Sequence, residues 1–116
     1  MSDQDVRAVI DAYAEGTRTR DIAKLKGCFA EGAKMTGWLG PDLLQGGPEP
    51  FYGALEANEV GDDYTSEITA LTVEGPIAWA ETRERNLLGL NFVNRFHLVR
   101  DGEGRWAIVS KLFAHG

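Results

Sequence analysis

The residue in this chain best placed to do chemistry is an amide. In Leu90–Arg100, LNFVNRFHLVR, the apolar side chains Leu90, Phe92, Phe96 and Leu98 alternate along one face, and Asn94 sits in the middle of that row. An amide buried without a partner costs about 1 to 3 kcal/mol. Asn94 must therefore meet something on that face: Tyr13, a backbone carbonyl, water or a ligand. Other reactive residue types are sparse. The single cysteine, Cys28, lies inside an apolar helical pattern, which excludes an intrachain disulfide or thiolate cluster and reads as a small buried hydrophobe. His97 and His115 lack the spacing of metal ligands from one element, and no metal or cofactor motif occurs, so neither kind of group is expected.

The strand that carries Asn94 belongs to a set of four. From residue 64 onward a period of two replaces the helical period, in segments 64–74, 76–87, 90–100 and 105–113. Gly-Pro, Leu-Leu-Gly and Asp-Gly-Glu-Gly breaks separate them, which predicts an antiparallel meander. Along 76–87, Ala78, Ala80 and Thr82 are assigned inward, with Ile77, Trp79, Glu81, Arg83 and Arg85 outward. Segments 64–74 and 106–113 are apolar on both parities, so one bulge would reverse their faces. Lys111 and Phe113 are placed outward with Val93, Arg95, His97 and Val99, and Trp106 in the core.

Upstream, Val6, Val9, Ile10, Tyr13 and Ala14 predict a helix over 3–16, capped by Ser2 or Asp3 and ended by Gly16. A second helix starts at the N-cap Asp21, with Ile22, Leu25, Cys28 and Phe29 on one side. A first strand follows over 33–39. The segment 40–50, GPDLLQGGPEP, is turn-rich, with Leu43 and Leu44 able to pair briefly with that strand. A third helix over 49–57 buries Phe51, Leu55 and Tyr52. Helices followed by strands imply an α+β fold in which a strongly curved antiparallel sheet wraps three helices and leaves a cone-shaped cavity.

At 116 residues the chain is expected to be one domain, 1–116, burying roughly two thirds of its unfolded surface. Its 43% hydrophobic and 26% charged residues suit a globular protein. A net charge of −6 argues against nucleic acid and against an anionic membrane surface as partners. No window approaches 18 apolar residues, and the N-terminus MSDQDVR is acidic where a signal peptide is basic. A cytoplasmic location is expected.

Two stretches carry a family resemblance. AYAEGTRTRDIAKLKGCFAEGAKM (Ala12 to Met35) is similar to the aromatic, small-residue, Asp, leucine and Phe pattern of the nuclear-transport-factor-2-like superfamily. FVNRFHLVRDGEGRWAIVSKLF resembles the F-x-D-x-F-x-L-x-x-x-D-G-x-W-x-I-V-x-K-x-F signature of its branch described as putative lumazine-binding. The resemblance spans nearly the whole chain. It implies the cone-shaped fold, a ligand pocket and a homodimer formed through the outer sheet face; function is less determined, because one fold hosts many activities.

The ketosteroid isomerases of this superfamily use three groups. A first-helix Tyr donates to the enolate oxygen, and Tyr13 holds the matching place. A neutral acid on a late strand is matched by Asn94, also a neutral donor. The carboxylate base at the end of the first strand aligns with Gly37, which cannot take a proton; Glu84 or Asp42 could substitute if either points into the cavity. The expected wall of the pocket is Phe29, Met35, Trp38, Phe51, Leu55, Phe92 and Phe96. Three functions follow. One is a module that binds a small apolar or aromatic molecule through Tyr13 and Asn94. Another is an isomerase, dehydratase or cyclase using the same donors on an enolate. The last is a dimeric scaffold whose cavity, under about 100 Å³, would fall far below ordinary ligand sites.

Overall fold

A computed structural model describes residues 2–116, and the side chain of Ser2, one of the two expected helix caps, lies outside the described residues. The helices are α1 (Ser2–Thr19), α2 (Ile22–Cys28) and α3 (Glu49–Ala57). The strands are β1 (Phe29–Leu39), β2 (Asp42–Gly46), β3 (Thr65–Glu74), β4 (Ile77–Leu87), β5 (Leu90–Arg100) and β6 (Trp106–His115). They form one sheet in the order β2-β1-β6-β5-β4-β3. β3 to β6 make the expected meander. β1 lies parallel to β6, so the curved sheet is mixed.

Local chemistry explains the helix boundaries. α1 runs three residues past Gly16, which is not its end: a Cβ there would stand 2.9 Å from Leu25 Cγ. The glycine lets α1 and α2 touch. α1 stops instead at Arg20, whose φ is +57°, where the Asp21 amide closes onto the Gly16 carbonyl at 2.9 Å. Asp21 then caps α2 by accepting from the Lys24 amide at 3.1 Å. The Arg20 guanidinium reaches the carbonyls of Leu55 (2.7 Å) and Glu56 (3.2 Å), so it satisfies the C-terminal end of α3 and ties that helix to α1. β1 begins earlier than expected, at Phe29, and bends between Phe29 and Lys34, where Gly32 has φ +78°.

Two bulges set the faces of the doubtful strands. Val109 is skipped between the pairs His97↔Ser110 and Leu98↔Ile108. Inward residues are thus Trp106 and Ile108 before the bulge and Lys111 and Phe113 after it, which corrects the outward placement of the last two. Thr69 plays the same part in β3, putting Ser66 and Ile68 opposite Glu84 and Thr82, then Leu71 and Val73 opposite Ala80 and Ala78. The core between helices and sheet holds Val6, Ile10, Tyr13, Leu25, Leu55, Phe96, Leu98 and Ile108, all essentially without solvent exposure.

Candidate functional site

Among the described residues, the cone closes on a core at one end and holds a pocket of about 130 Å³ at the other. Met35 and Leu39 of β1, Leu44 of β2, Phe51 and Ala54 of α3, Leu87, Phe92 and Phe113 supply apolar wall, while Glu84 and Lys111 are the charged side chains in it. Their placement follows from register: Glu84 pairs with Phe92 and Ser66, and Lys111 with Phe96 and Met35, all on the inner face.

Lys111 is almost fully buried. Its Nζ donates to the Tyr13 hydroxyl at 2.7 Å and lies 4.6, 4.9 and 5.3 Å from the ring centres of Phe51, Tyr13 and Phe113. No carboxylate among the described residues comes within ion-pairing distance of it. Burial pushes the ammonium down to a pKa of about 8, against the opposing charge of Glu84. The rings work with Glu84, because a cation over an aromatic face is stabilised by about 0.5 to 2 kcal/mol. Desolvation is the larger effect.

Glu84 is equally buried but well supplied with donors. Oε2 accepts from the Tyr64 hydroxyl at 2.5 Å and Oε1 from the Asn94 amide, which also donates to Thr82 Oγ1 at 3.2 Å. A carboxylate in an apolar wall needs such partners, since its desolvation otherwise costs several kcal/mol. Burial, and then the Glu84 charge, drive the Tyr13 and Tyr64 hydroxyls well above their ordinary pKa, so both stay protonated. Asn94 Oδ1 is buried without a hydrogen-bond partner among the described residues.

The expected residues divide into three groups. Met35, Phe51 and Phe92 line the pocket. Tyr13, Asn94, Phe29, Leu55 and Phe96 are buried behind it, with Tyr13 stacked on Phe51 (5.9 Å) and edge-on to Phe96 (5.1 Å). Trp38 is corrected to the outer face, 50% exposed, because it alternates with the inward Met35 and Gly37. Glu84 lines the pocket. Asp42 is exposed at the start of β2. At Gly37 an added Cβ would overlap the Phe113 carbonyl oxygen, so no carboxylate fits the usual base position. Sequence reasoning missed Lys111 as a site residue, and its signal was present: a lone ammonium in the apolar run Trp106–Phe113, whose face depended on the Val109 bulge.

The chain matches, over residues 1–114, the model of the family described as putative lumazine-binding, and it belongs to that family. No curated protein matches its sequence. Among solved structures it is similar to a nuclear-transport-factor-2-like protein of unknown function from Shewanella baltica, at TM-score 0.89 and 21% identity, with 97% of this chain and 92% of that one covered. Another of the same description, from Silicibacter pomeroyi, aligns at TM-score 0.87 and 23% identity over 97% and 94%. A ketosteroid isomerase-like protein from Erwinia carotovora atroseptica aligns at 0.73 and 16% over 97% and 95%. At these identities the likenesses establish the fold, a nuclear-transport-factor-2-like cone.

Proposed function

We propose that this chain is a small-molecule binding protein whose pocket takes a neutral, planar, mostly apolar ligand through a carbonyl or hydroxyl oxygen. The observation that carries this reading is the presence of both Lys111 and Glu84, not joined in an ion pair, in a wall that is apolar apart from them and Gln45. An anionic headgroup would meet Glu84 and a cationic one Lys111, whereas a neutral oxygen can accept from Nζ at no such cost. Tyr13 and Asn94, the anchors expected from sequence, act through these two: Tyr13 fixes the ammonium and Asn94 the carboxylate. A volume of about 130 Å³ suits one ring, since an engineered apolar cavity of about 150 Å³ holds benzene.

The test is native mass spectrometry of the purified protein against the denatured sample, together with titration of acetophenone followed by methyl NMR. The expected result is a bound adduct or saturable shifts at Met35, Leu44 and Ala54, both lost in Ala54→Trp, which fills the pocket from α3. Unshifted methyls and an unloaded protein would overturn the reading.

Glu84 supports a second reading, an enzyme that moves a proton next to a carbonyl. It lines the same pocket as an ammonium able to stabilise an enolate oxygen. Exchange of the acetophenone methyl hydrogens in heavy water, abolished by Glu84→Gln, would favour it. We also propose a homodimer through the outer sheet face, where Trp38, Ile77, Trp79 and Leu112 are exposed. No helix among the described residues is long and apolar enough to cross a membrane.

A further inference from the structure

We infer that Lys111 is a nucleophile, whose amine condenses with the carbonyl carbon of an apolar aldehyde or ketone seated in the pocket to form an imine. This rests on the pocket being a ligand site, as proposed above, and adds covalent capture to it.

Four observations support it. Lys24, Lys26 and Lys34 are exposed, and Lys111 alone of the four lysines is buried. Its direct hydrogen-bond partner is a neutral hydroxyl and not a carboxylate, so nothing locks the amine into an ion pair. Lys111 lines the pocket, and the rings of Phe51 and Phe113, 4.6 and 5.3 Å from Nζ, also line it and can stack an aromatic carbonyl compound beside the amine. A side chain needed only for packing would be cheaper as Met or Leu, because an ammonium buried without an ion partner is costly. Its lowered pKa points the same way: at pH 7.5 an amine of pKa about 8 is about one-quarter neutral, against about one part in a thousand for an ordinary lysine.

The chemistry balances with groups on hand. Glu84, on the same wall, takes a proton from the ammonium by way of the Tyr13 hydroxyl, which accepts from Nζ and donates toward the carboxylate. The Nζ lone pair adds to the carbonyl carbon, the carbonyl π pair moves to oxygen, and the Glu84 proton is delivered there, giving a carbinolamine. A second proton passes from nitrogen through Glu84 to the hydroxyl, which leaves as water. The product is a protonated imine, and Glu84 returns to its carboxylate form. The net change is ammonium plus carbonyl compound to iminium plus water.

The test is reductive trapping with benzaldehyde and cyanoborohydride at pH 7.5, read by peptide mass spectrometry, with acetophenone shifts recorded in parallel. The α-amino group, ordinarily of pKa about 7.7, serves as the internal rate standard. The expected result is a benzyl group on Lys111 at least about tenfold faster than on Lys24, Lys26 or Lys34 in the native chain, with that preference abolished by urea. Benzyl alcohol, which fits the pocket but cannot condense, should slow the labelling of Lys111 alone. Glu84→Gln, whose amide cannot take up the proton, should slow the labelling of Lys111. Methyl shifts with no preferential labelling of Lys111 would overturn the imine and leave the binding reading standing; neither shifts nor labelling would overturn both.

Discussion

Burial and a neighbouring carboxylate pull the Lys111 ammonium in opposite directions, and the outcome is measurable as stability. Its pKa falls from 10.5 to about 8 on folding, so between those values the unfolded chain binds more protons than the folded one. The contribution is therefore fully present above pH 10.5 and is lost as pH falls through 8. From pH 7 to 9 this amounts to roughly 1 kcal/mol gained on raising the pH. Cys28 works against it at higher pH, because burial raises its thiol to about 11 and the unfolded thiol ionises first. The clean measurement is a difference. Urea denaturation at pH 7 and pH 9 should show wild type gaining roughly 1 kcal/mol more than Lys111→Met. Equal gains in both proteins would mean that Lys111 keeps an ordinary pKa.

At the scale of elements, the site depends on how β1 meets β6. Gly37 faces Phe113 so closely that a Cβ would overlap its carbonyl oxygen, and Met35, two residues earlier, pairs with Lys111. Restoring a carboxylate by Gly37→Asp should not create a base. It should force β1 away from β6 at a cost at or above the upper end of the roughly 1 to 3 kcal/mol usual for overpacking, read as a lower urea midpoint. An undiminished midpoint would show that the two strands can part freely. The same elements define what was legible in the sequence. Strand β5 and the inner row of β4 could be placed from alternation alone, and Asn94 with them, since neither strand bulges along that stretch. Glu84 follows from that parity. β6 could not be placed, because Trp106, Ile108, Lys111 and Phe113 share a face only after Val109 is skipped, and a bulge leaves no residue-type signature there. Gly16 misled, since it looked like a helix stop and is a close contact between α1 and α2, whereas Gly37, read as a position without a base, is that and also a close contact between β1 and β6.

At the scale of the molecule, the mixed sheet has one face buried under helices and the other bare. The bare face carries apolar groups at its two ends, Ile77, Trp79 and Val99 at one and Trp38, Leu43 and Leu112 at the other. Between them Glu81 holds Arg95 at 3.1 Å and Arg83 at 3.8 Å. Exposed ion pairs of that kind contribute about 0 to 1 kcal/mol, so the apolar ends must supply most of any association energy. A two-fold axis through the charged middle would bring each apolar end of one copy onto the partner and keep the charges paired. Sedimentation velocity should then find a dimer. Trp79→Glu places an uncompensated carboxylate in the apolar patch, and a buried aromatic anchor is worth about 2 kcal/mol or more, so its dissociation constant should rise by roughly thirtyfold or more. The inner face is separated from that substitution by the thickness of the sheet, so acetophenone shifts at Met35 and Ala54 should survive in the monomer. A wild-type chain that sediments as a monomer at every concentration would remove the dimer, and the exposed tryptophans would then need another partner.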